Sequence, residues 1–78
     1  MTTKLFRGCR YEVRVHVPGE AENRLWSRHH SHREAQRSYR SLLANGIERG
    51  EIVPDTLVEL RDHLPDGGTF TLESARTR

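Results

Sequence analysis

One cysteine, three prolines and five aromatic residues are all that 78 positions hold of the residues that most often brace or stiffen a small fold. With Cys9 alone, no disulfide can close within the chain and no cysteine-rich zinc cage can be built; such usage suits a reducing compartment. Hydrophobic residues make up 33% of the chain, and a domain of this length buries only roughly 60 to 65% of the surface its unfolded form exposes. The core must therefore be thin, enough for one sheet face and one helix, with no room to enclose a deep substrate cavity. Long apolar runs are missing as well. The opening "MTTKLFRGCRYE" is interrupted by Lys4, Arg7 and Arg10, so it reads neither as a signal peptide nor as a membrane span. These absences predict a single soluble, cytoplasmic domain over residues 1–78, with flexible ends at 1–8 and 74–78.

Groups that could share a catalytic step are equally scarce. Cys9 falls on the apolar side of an alternating segment, where a thiol is inert, and Ser31 is committed to capping a helix. Asp62 and His63 are sequence neighbours, which on a strand sends them to opposite faces. Gly67 and Gly68 close a turn rather than precede a helix, so no phosphate-binding loop exists. His29, His30 and His32 are three imidazoles within four residues, but adjacent side chains diverge and no carboxylate or cysteine accompanies them at ligand spacing. A non-catalytic protein without metal or cofactor is expected.

Arginine is what the chain has in abundance: twelve of thirteen basic residues, against eleven acidic ones. The net charge of +2 conceals an asymmetry, because residues 1–43 balance at +5 and residues 44–78 at −3. The stretch "RHHSHREAQRSYR", residues 28–40, concentrates four arginines and three histidines. Arginine offers a planar fork suited to bidentate contact with carboxylate or phosphate.

Local patterns predict five elements. Residues 9–17, "CRYEVRVHV", alternate with Cys9, Tyr11, Val13, Val15 and Val17 on one face and Arg10, Glu12, Arg14 and His16 on the other, a half-buried strand. Pro18 and Gly19 break it, and "RLWS" reads as the returning strand. "SHRE" from Ser31 is a capping box; Ala35, Tyr39, Leu42 and Leu43 then form an apolar helical stripe, which places a helix at about 32–45. Gly46 is expected to end it in the left-handed conformation, with Ile47 folding back on Leu42. "TLVELRDHL" fits a helix through Leu57, Leu60 and Leu64 or a strand through Val58 and Leu60. The turn "PDGG" and the alternating "TFTLE" that follow favour a second hairpin. The expected fold is α+β, a small antiparallel sheet of about four strands with one helix packed on one face, in β-β-α-β-β order.

On that helix Arg33, Arg37 and Arg40 recur at i, i+4 and i+7, on the side turned away from Tyr39 and Leu43, with Gln36 and Ser41 beside them. Together with Arg28, His29, His30 and His32 in the preceding segment, Arg33, Gln36, Arg37 and Arg40 make the expected partner-binding surface. Arg24, Trp26 and Arg14 are candidates to extend it. If Leu25 points inward, Trp26 stands out between Arg24 and Arg28 as an interface anchor or a base-stacking platform. If Trp26 points inward, the row dissolves; average tryptophan burial favours that second arrangement.

Two functions remain open: a module that binds an acidic protein or ribonucleoprotein partner, and a small basic domain that contacts nucleic-acid phosphates directly. Glu48, Glu51, Asp55, Glu59, Asp62 and Asp66 would repel a duplex lying broadly across the fold, which favours the first. A homodimer is compatible with so thin a core. "YEVRVHV" followed by a tryptophan, then "SHREAQRSYRSLLA" and a closing "PDGGTFTLES", resembles the small accessory proteins of phages and mobile elements, anti-CRISPR proteins among them. That resemblance covers about residues 9–74 and implies a compact viral inhibitor or modulator of host defence acting by stoichiometric binding.

Overall fold

The computed structural model describes residues 10–78. It contains β1 (Tyr11–His16), β2 (Arg24–His29), α1 (His32–Asn45), β3 (Leu57–His63) and β4 (Thr69–Arg76). All neighbouring strands run antiparallel in the order β2-β1-β3-β4, and α1 lies across one face of the sheet against β1, β2 and β3. The α+β fold expected from the pattern is the fold observed, and residues 57–63 are a strand, not a helix.

The alternation in β1 does what its period requires. Val13 and Val15 point at the helix and pair across the ladder with Leu60 and Val58 of β3; Ala35, Tyr39 and Leu42 come down from α1, and Ile52 closes one end. Tyr11, Val17 and Leu43 pack around this cluster. Cys9, expected at the head of the strand, lies outside the described residues.

Helix α1 starts where the capping box put it. The Ser31 hydroxyl accepts the Glu34 amide at 3.1 Å and donates to the Glu34 carboxylate at 3.1 Å, so the return contact goes to the hydroxyl and not to the Ser31 amide.

Its other end differs from expectation. Gly46 is right-handed, at φ −60°, and its amide donates to the Leu42 carbonyl. Glycine is needed there for space: a Cβ would lie 2.4 Å from the Leu42 carbonyl oxygen and 2.9 Å from Ile52 Cγ1. Ile52, not Ile47, folds back on Leu42, and Ile47 stays 39% exposed. Helix propensity alone would have Gly46→Ala stabilise by up to about 1 kcal/mol. The close backbone approach reverses the sign, so a lower melting temperature than the parent's is expected by circular dichroism.

Within the C-terminal segment 74–78, expected to be a loose end, residues 74–77 are pinned. β4 continues through Arg76, and Thr77 is 7% exposed. The Thr77 amide donates to the Thr56 carbonyl, its own carbonyl accepts the Asp55 amide, and its hydroxyl accepts the Thr56 amide. Asp55 sits at φ 68°, a conformation Asp tolerates better than most residues.

Candidate docking surface

Capping fixes where α1 begins, and from there the 3.6-residue period fixes which side each arginine takes. With Ala35, Tyr39 and Leu42 buried, Arg33, Arg37 and Arg40 all face solvent. They line one shallow open groove with Gln36, Ser41 and Ala44. Gln36 is anchored by donating to the Glu73 carboxylate of β4 at 2.9 Å. At 1.5 Å rise per residue the three arginines span about 10 Å of a rigid rod.

Their lack of partners, shared only with Arg78 among the described arginines, sets them apart from the other seven. Arg10, Arg14, Arg24, Arg28, Arg49, Arg61 and Arg76 each lie within ion-pair distance of a carboxylate. Among the described residues, Arg33, Arg37 and Arg40 form no ion pair and no hydrogen bond. Three like charges at this spacing repel by about 0.2 to 0.5 kcal/mol per neighbouring pair, and among the described residues no carboxylate lies within ion-pair distance of any of the three.

The opposite sheet face holds Arg14 and Arg28, and it is built differently. Glu12, which strand alternation turned toward solvent, is fully buried. Arg14 Nε and His63 Nε2 contact its carboxylate, and Arg28 Nη2 lies at 3.6 Å. Arg14 also donates to the Asn23 side chain at 3.0 Å, and Arg28 meets His63 Nε2 at 3.1 Å. Alongside, Arg61 holds Glu59 at 2.7 Å. Arg14, Arg28 and His63 gather round a carboxylate that water does not reach. The structure thus places Arg14 and Arg28 behind the sheet from the helix stripe, engaged with an internal carboxylate.

Trp26 follows neither arrangement considered from sequence, and the inward, core position favoured there is not adopted. The β1–β2 register runs Val13↔Ser27 and then Arg14↔Leu25, so Trp26 is the extra residue of a bulge. It is 38% exposed, and Leu25 is 42% exposed. Trp26 lies on the helix side, in a notch with Ser38, Ser41, Leu42, Arg49 and Glu51. Because Ser41 lines this notch and the arginine groove alike, the tryptophan adjoins the stripe from the β2 side. Arg24 turns to Glu20 at 3.2 Å instead, so no Arg24-Trp26-Arg28 row exists. Nothing in the sequence signals the bulge.

The histidines separate too. His29 donates to or accepts from Ser27 at 2.8 Å and borders a second depression with Glu34, Arg37, Ser38 and Ser41. His30 is exposed. His32 opens the helix and packs its ring 5.5 Å from that of Tyr11. Among the described residues no group of three His, Cys, Asp or Glu side chains is placed to hold a metal ion, and no helix is long and apolar enough to cross a membrane.

Two titrating groups border this region. The hydrogen bond from Arg10 holds the Asp62 carboxyl below its usual value, helped by the charges of Arg10, His32 and His63 and opposed by burial. A depressed carboxylate stabilises the fold above its unfolded value, near 3.9, and that contribution fades as pH falls through the folded value. Burial, reinforced by Glu73, raises the Tyr39 phenol and keeps it neutral in the core.

The surface and fold define a small two-layer α+β domain with an unpartnered arginine helix face beside a half-exposed tryptophan. Compared with known proteins, the chain matches no family model, no curated protein and no solved structure.

Proposed function

We propose that the protein is a non-catalytic binding module whose α1 arginine stripe docks an acidic protein or nucleoprotein complex and modulates it by occupying a surface. The observation that carries this reading is the contrast between seven arginines matched to carboxylates and three, on one helix face, matched to none. Guanidinium groups left unpaired on a rigid element have lost little freedom to internal contacts, so they can form charge-assisted bonds with an incoming carboxylate. Trp26 at the margin supplies the kind of aromatic side chain that anchors interfaces. The resemblance to phage and mobile-element accessory proteins, anti-CRISPR proteins among them, supports an inhibitor or modulator of a host machine as the biological form of this activity.

Direct binding of nucleic-acid phosphates is the second reading, because the same unpaired guanidiniums suit phosphate as well. Glu34 beside the stripe and Glu48 and Glu51 beyond its far end count against a long polyanion. Affinity pull-downs with and without nuclease, comparing the parent with R33E/R37E/R40E, separate the two. The expected result is a protein partner retained after nuclease treatment and lost from the variant, which keeps the parental circular dichroism spectrum. Equal recovery by both proteins would remove the stripe from consideration. If nucleic acid is the ligand, three neutralised phosphates give a log–log salt slope near −0.9 each, a loss of about 40-fold between 50 and 200 mM salt.

A further inference from the structure

The arginine face of α1 does not end at Arg40. Past Asn45 the backbone makes a further helical turn, with the Gly46 amide bonded to the Leu42 carbonyl and the Arg49 amide to the Asn45 carbonyl, before Gly50 ends it at φ 72°. The same stripe therefore runs on from Arg33, Arg37 and Arg40 to Ala44 and then to Ile47 and Glu48, all exposed. Glu48, like the three arginines, forms no ion pair or hydrogen bond among the described residues. One face thus carries unpaired positive charge at its start, a small residue in the middle and unpaired negative charge with an exposed isoleucine at its end.

Such a stripe is complementary to itself when reversed. We infer that this face pairs with a second copy of the chain, two α1 helices packing antiparallel about a two-fold axis at Ala44, with Arg40 of each copy opposite Glu48 of the other. A two-fold contact is isologous, so one favourable pairing is made twice. Alanine at the crossing permits a close interaxial approach of about 8 Å. In this register the arginine clusters lie on opposite sides of the axis, so they do not confront each other. Exposed ion pairs contribute little each, so the dimer is a weak one that forms as concentration rises and dissolves with salt. Pairing covers the Arg40 end of the stripe, so a docked partner and a second copy exclude one another. That competition rests on the proposed docking role, whereas the pairing itself does not.

A charge swap tests it. By light scattering behind size exclusion at submillimolar concentration and low salt, the parent is expected to approach twice the 9.1 kDa of one chain. Arg40→Glu and Glu48→Arg should each weaken association by about tenfold or more, and the doubly swapped variant should recover it. In a Cys9→Ser background, Ala44→Cys should form an intermolecular disulfide on mild oxidation faster than Thr71→Cys, whose exposed side chain lies on β4 away from the axis. A parent that stays monomeric, a double swap that fails to restore the dimer, or equal crosslinking at the two positions would overturn the pairing. All four readouts are independent of partner capture, so failure here leaves the docking reading to its own experiment.

Discussion

E12A is expected to lose about 3 to 5 kcal/mol of stability, the cost of removing one member of a buried ionic group and stranding the rest. Glu12 is fully buried on a sheet face that no helix covers, and Arg14, Arg28 and His63 converge on it. Without the carboxylate, two guanidiniums at 24% and 16% side-chain exposure would have to turn outward and open the strands beneath them. A 78-residue domain has roughly 4 to 12 kcal/mol in total, so E12A should be largely unfolded near its parent's melting temperature. E12Q, which keeps the shape and one acceptor oxygen, should lose less. Urea and thermal unfolding followed by circular dichroism give both values. An E12A melt that overlays the parent would mean the arginines need no anion below them.

L60A should lose about 2 to 5 kcal/mol. Among the described residues Leu60 is the largest fully buried side chain; it stands in a central strand opposite Val13 and inside the cluster that joins sheet to helix. F70A removes a larger side chain, yet Phe70 is 60% exposed on the edge strand, so it should change stability by about 0.5 kcal/mol or less. The pair separates burial from size. Similar losses for both would mean that the β4 edge is covered in solution.

The helix stripe on which function is proposed was legible residue by residue, whereas Trp26 beside it was not. A capping box, an apolar stripe at helical spacing and three arginines on the reverse side need only the 3.6-residue period to be placed, and the helix runs over the residues so assigned. The partnering of the other arginines was not legible. Glu12, Arg28 and His63 are far apart in sequence; they meet because Glu12 pairs with Arg28 in one ladder and Arg61, two residues before His63, in the other. The same pattern that correctly turned Glu12 away from the helix said nothing of what would cover it there.

What the sequence determined by itself is the period of β1 and α1, hence the side on which their residues emerge, because that depends only on backbone geometry shared with immediate neighbours. The tertiary structure alone decided the ladder registers, the bulge that moves Trp26 beside the stripe, the close contact that demands Gly46, and the anchoring of Thr77 against Thr56. Each of these depends on which distant segment lies alongside, and that is settled by packing the whole chain around one thin core.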